Sequence, residues 1–103
     1  MSKIKVLYIP IDRDPEYIEI ENRLREFQNI VRGHIEIVTL KPGLALVCNE
    51  EGKLNGMKPN LFISKINDMV CGPVVIVGVS GEEFISVSDD EICPILNQIE
   101  FVI

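Results

Sequence analysis

A length of 103 residues suits one domain, and a composition 47% hydrophobic and 25% charged, with no low-complexity tract, excludes a disordered tail. The net charge of −6 argues against nucleic acid or an anionic membrane as a direct ligand, because either needs a basic patch to neutralise phosphate. The chain reaches Pro10 after an apolar run too short for a signal peptide or a membrane span, so a single cytoplasmic domain over residues 1–103 is expected.

Ile4, Val6 and Tyr8 alternate with Lys3, Lys5 and Leu7, which predicts a first strand running to Pro10. Asp12-Arg13-Asp14-Pro15 is a run of turn formers, after which Glu16 to Ile20 alternates again as a short edge strand pairing back on the first. From Glu21 to Val31, the positions Leu24, Phe27, Ile30 and Val31 recur at helical spacing, and Gly33 stands where a C-terminal cap belongs. Ile35 and Ile37, then Leu44, Leu46 and Val47, predict two strands joined as a hairpin at Lys41-Pro42-Gly43.

Asn49-Glu50-Glu51-Gly52, Asn55-Gly56 and Pro59-Asn60 crowd turn signals into the main irregular segment. Between Asn60 and Met69, the spacing of Phe62, Ile66 and Met69 predicts a short helix. Gly72 and Pro73 introduce Val74-Val75-Ile76-Val77, a β-branched run suited to a central strand covered on both faces. Ser88-Asp89-Asp90-Glu91 has the capping-box pattern, with Ile92, Ile95, Leu96 and Ile99 at helical spacing behind it. Pro94 interrupts that segment, so either the helix starts at Pro94 or its first turn is distorted. The order implies an α+β domain, a mostly antiparallel sheet of about five strands with two helices packed on one face.

The chemistry-bearing residues do not assemble into a catalytic pattern. His34 is the only histidine, and its place after Gly33 suits a helix end better than a general base. Cys48, Cys71 and Cys93 stand more than twenty residues apart, without the paired spacing of a zinc site or a disulfide framework, and are expected to be buried reduced thiols. Gly78-Val79-Ser80-Gly81 is followed by Glu82 and Glu83, which would repel a phosphate, so a plain turn is expected. No catalytic residue, metal ligand or cofactor is assigned.

Charge is distributed unevenly. Residues 1–65 hold nine acids and ten bases, whereas residues 66–103 hold seven acids and no lysine or arginine. If Glu82, Glu83, Asp89, Asp90 and Glu91 share one edge, they make a surface able to dock into a cationic groove built for nucleic acid. The second candidate is the 49–60 loop, where Asn49, Glu50, Glu51, Lys53, Asn55 and Asn60 offer polar side chains beside glycines that permit close approach.

The same loop, Asn49-Glu50-Glu51-Gly52-Lys53-Leu54 and Asn55-Gly56-Met57-Lys58-Pro59-Asn60, resembles the signature stretch of the domain of unknown function 3846 family. The resemblance extends through Val31-Arg32-Gly33-His34-Ile35-Glu36 and Gly72-Pro73-Val74-Val75, with Arg32 and His34 standing where such proteins usually have a glycine and a tyrosine. It implies small proteins of phages, plasmids and conjugative elements. Small acidic proteins of such elements often occupy a host defence component, as anti-CRISPR and anti-restriction proteins do; that step is analogy.

The expectation is therefore a non-catalytic interaction or inhibitor protein that engages a host protein, such as a CRISPR nuclease, through acidic surface and the 49–60 loop. The alternative is a module that sequesters a nucleotide signal of host immunity in a pocket between protomers of a homodimer, with Lys53, Lys58, Arg32 and Tyr17 as the cationic and aromatic candidates.

Overall fold

The computed structural model describes residues 3–64 and 66–101. β1 (Lys3–Ile9) turns back through residues 12–15 into β2 (Glu16–Glu21), placing Ile4 opposite Ile20 and Val6 opposite Ile18. The helix α1 (Leu24–Val31) leads into the hairpin of β3 (Ile35–Lys41) and β4 (Leu44–Asn49). After the loop come β5 (Pro59–Ile63) and β6 (Asp68–Cys71), then β7 (Val74–Ser80) and its hairpin partner β8 (Glu83–Ile85). The chain closes through α2 (Asp89–Ile92), a 3-10 helix (Cys93–Gln98) and β9 (Ile99–Phe101).

The described strands form two sheets, one in the order β2-β1-β7-β4-β3 with β8 on β7, and one in the order β6-β5-β9, with every described pairing antiparallel. A mostly antiparallel α+β domain was expected and is found, with nine described strands rather than about five.

β4 and β7 are buried along nearly their whole length, as their unbroken apolar sequences require. Alternate residues serve two cores. Val47, Val75 and Val77 pack with Val6, Ile20, Phe27 and Val31 under α1; Leu44, Leu46, Val74 and Ile76 pack with Leu61, Ile63, Val70, Ile92 and Ile95 under the second sheet and α2. The two helical segments therefore cover opposite faces of the large sheet, not the one face expected. Both cores are built on β1, β4 and β7, which binds the layers into a single unit. Full burial of Phe27 and Val31 contributes about 1.5–3 kcal/mol each, and Phe27 meets Phe84 edge-on at 5.0 Å between ring centroids.

Three local expectations are corrected. The stretch expected as a helix is a hairpin, with strand at 60–63 and 68–69 and turn at Ser64, Ile66 and Asn67: Leu61 and Ile63 point into the core while Phe62 is only partly covered, a period of two that a short apolar run does not distinguish from a helical one. Lys65, in the same stretch, lies outside the described residues. The second helix stays α for one turn and tightens to 3-10 at Cys93, because Pro94 has no N–H to continue the ladder, and Ile99 belongs to β9; the side chain of Leu96 lies outside the described residues. At the end of α1 the left-handed residue is Arg32 (φ 66°), while the Gly33 N–H donates to the Gln28 carbonyl at 3.1 Å in a Schellman-type ending. Gly33 is required by proximity, since a Cβ there would stand 2.8 Å from the Asn49 side-chain nitrogen. No helix among the described residues is long and apolar enough to cross a membrane.

Candidate functional site

The 49–60 loop is built from its two ends inward. Asn49 is buried at the end of β4; its amide donates to the carbonyls of Val31 (2.9 Å) and Arg32 (3.2 Å), and its Oδ1 accepts the Glu51 N–H at 2.7 Å. Asn60 is buried as well, with its amide donating to the carbonyls of Ile9 and Gly72, both at 2.9 Å. Both were expected to face a partner. Their side chains instead pin the loop to the body, because a buried amide must find acceptors and these carbonyls need donors.

Between these pins the chain coils through turns, with Asn55 N–H to the Glu51 carbonyl and Met57 N–H to the Gly52 carbonyl. Glu50, Glu51, Lys53 and Asn55 are left exposed. Gly52 packs so closely on β6 that a Cβ would lie 2.6 Å from the Cys71 carbonyl oxygen. The loop and β6 bound a cleft of about 350 Å³ lined by Glu36, Glu50, Glu51, Lys53, Leu54 and Asp68, with the Cys48 and Cys71 thiols at its wall. Lys53 Nζ donates to Asp68 Oδ1 at 2.5 Å, which holds the Asp68 carboxyl below and the Lys53 ammonium above their ordinary ranges. Burial first, then Glu36 and Asp68, push the Cys48 thiol up to about 12, so it stays protonated and inert at neutral pH. Leu54 caps the loop at 84% exposure.

The acids of the last third do not share one surface. Glu82, in the β7–β8 turn, and Glu83, the first residue of β8, line an open groove of about 570 Å³ with Leu24, Ile35, Ile37 and Phe84 on the α1 side of the large sheet. Leu24 and Ile37 there are 56% and 52% exposed, although helical periodicity predicted Leu24 as a core contact. Asp89 lies on the other side, where it accepts the hydroxyl of Tyr17, a residue packed against the opposite core. Burial and this bond raise the Tyr17 phenol to about 12, and Lys5 Nζ sits 5.0 Å from the ring centroid. Glu91 Oε1 accepts the Ser88 hydroxyl at 3.2 Å, so the capping pattern closes between side chains, and Asp90 is exposed.

One element joins the two acidic regions. β3 is the outer strand of the large sheet, with no partner on its free side among the described strands. Glu36 and Val38 line the loop-side cleft, while Ile35 and Ile37 line the α1-side groove.

The cations named from sequence separate. Arg32 and Lys58 line a third cleft, of about 390 Å³, together with Arg13 and Tyr8; Lys53 and Tyr17 lie elsewhere, held by Asp68 and Asp89. Arg13 and Tyr8 were not named for this role from sequence, since Arg32 and Lys58 come from segments distant from theirs. His34 is exposed at the end of α1, and its carbonyl accepts the Glu50 N–H at 2.9 Å. Cys48 and Cys71 are free and buried as expected, whereas Cys93 is free and exposed. Among the described residues no cluster of three His, Cys, Asp or Glu side chains is placed to hold a metal ion. The model of the family described as Domain of unknown function (DUF3846) matches residues 4–100. No curated protein and no solved structure matches the chain.

Proposed function

The chain belongs to the domain of unknown function 3846 family, and from that premise we propose that it is a non-catalytic interaction protein that docks a basic, extended segment of a host protein along the free edge of β3. The observation that carries this reading is the position of that edge between two partly apolar clefts in which carboxylates outnumber the one cation lining each, Arg23 on the α1 side and Lys53 on the loop side. Glu82 and Glu83 rim the side bearing exposed Leu24 and Ile37; Glu36, Glu50 and Glu51 rim the side bearing exposed Leu54. From Ile35 to Val38, the stretch flanked by the two clefts, the outer edge of β3 has no partner strand among the described strands and offers backbone donors and acceptors to an added strand, whose alternating side chains would fall into the two clefts. Carboxylates on both sides select lysine and arginine in the partner and speed encounter by steering.

Proteins that handle nucleic acid are rich in such segments. A CRISPR nuclease or another host defence protein is the partner class we favour, with counter-defence as the biological role. Occupation of both clefts would bury about 800 Å² on each partner.

The test is a labelled peptide of alternating lysine and valine, with its glutamate–valine counterpart as control, titrated at low and high salt. Binding of the basic peptide alone, weakened by salt and by Ile37→Ser or by Glu82→Ser with Glu83→Ser, is expected. Equal binding of the acidic peptide, or no binding of either, overturns the reading.

A further inference from the structure

The cleft at the C-terminal end of α1 has the opposite chemistry to the β3 edge. Arg13 from the β1–β2 turn, Arg32 from the helix end and Lys58 from the segment before β5 converge on it, with Asp12 as the single acid in its lining. In a chain with sixteen acids, three of the ten cationic side chains thus gather where carboxylates are scarce. Arg13 reaches only Glu16, at 4.0 Å, and Arg32 and Lys58 form no ion pair among the described residues.

This arrangement works against stability in two ways. Like charges repel across the cleft. Arg32 also holds a left-handed backbone (φ 66°, ψ 43°) that is unfavourable for any residue with a Cβ, at a helix end where glycine would be free of that cost. Strain of this kind persists where the surroundings fix it. Here the Asn49 amide grips the Arg32 carbonyl at 3.2 Å and the Val31 carbonyl at 2.9 Å. The same two bonds occupy helix-end carbonyls whose negative dipoles would otherwise repel an anion.

The remaining walls include the aromatic ring of Tyr8 and the polarisable thioether of Met57, both partly exposed and suited to the face of a planar base, over a floor that includes the buried Pro10 and Pro73. We propose that this cleft binds a mononucleotide, its phosphate between Arg13, Arg32 and Lys58 and its base against the partly exposed Tyr8 and Met57. The volume of about 390 Å³ lies in the range of small-molecule sites. The net charge of −6 disfavours a polynucleotide, whose flanking phosphates would meet the acidic surface. The site is independent of the β3 edge, and either can stand without the other.

Calorimetric titration with AMP, GMP, CMP and UMP tests it, with inorganic phosphate, the matching nucleosides and a deoxythymidine oligonucleotide as separate arms. At least one mononucleotide should bind more tightly than phosphate, nucleoside or oligonucleotide. Arg32→Gly suits the left-handed backbone, so it should fold with a urea midpoint no lower than the parent's while weakening that mononucleotide about tenfold or more. Lys58→Gln should weaken it similarly. No heat with any mononucleotide, equal affinity in the Arg32→Gly protein, or tighter binding of the oligonucleotide would each overturn the assignment.

Discussion

The Asn49 side-chain amide donates to the Val31 carbonyl at 2.9 Å, tying the end of β4 to the end of α1 across eighteen positions of sequence. The loop that follows is thereby presented from a fixed corner, and the left-handed Arg32 is fixed by the same residue.

Removal of this pin should be costly. Asn49→Ala leaves two carbonyls and the Glu51 N–H without their partner, and Asn60→Ala does the same to the Ile9 and Gly72 carbonyls. Each unsatisfied buried group costs about 1–3 kcal/mol, so each variant should lose at least ~2 kcal/mol in urea unfolding. Glu50→Ala and Asn55→Ala, on exposed positions, should stay within ~0.5 kcal/mol of the parent.

Tyr17 and Asp89 make a second long-range tie, readable by ultraviolet titration. In a Tyr8→Phe background the remaining phenol should ionise at about 12, and Asp89→Asn should bring it down by removing the carboxylate acceptor and its charge. A phenol whose folded pKa is raised contributes stability in full below the ordinary tyrosine value and loses it as pH rises through the folded one. Stability should therefore fall as pH rises from about 10 to about 12, and the fall should be shallower in Asp89→Asn.

The Lys53–Asp68 pair predicts the opposite limb. Its carboxyl is lowered by the Lys53 hydrogen bond, so the contribution is present above the ordinary carboxylate range and disappears as pH falls through the depressed value. The urea midpoint of Lys53→Met should show a shallower acid decline than that of the parent. Both side chains are exposed, so the difference should be small and should vanish at high salt.

Thiol chemistry should divide the cysteines two to one. Iodoacetamide at neutral pH should label Cys93, which is exposed, while Cys48 and Cys71 react only on unfolding. Mass spectrometry after limited labelling reads the difference. Fast modification of Cys48 would contradict a thiol pushed up to about 12 by burial.

What the sequence determined by itself is local and periodic. β1, β2, the β3–β4 hairpin and the central β7 follow from alternation, turn residues and an unbroken β-branched run, and Phe27 and Val31 mark the inner face of α1. Pro94 marked the point where the second helix could not continue. Family membership was legible in the 49–60 loop and its flanks. Tertiary structure decided the rest, because it depends on which distant segments meet. Residues 60–63 and 68–69 became strand because β5 found partners in β6 and β9. The acids of residues 82–91 parted because β8 lies on the α1 side while Asp89 was drawn to Tyr17. Asn49 and Asn60 read from sequence as loop chemistry, yet their amides answer carbonyls at Val31, Arg32, Ile9 and Gly72 that no local pattern could announce. Composition fixed how much charge the chain carries; only packing decided that its cations would meet at Arg32.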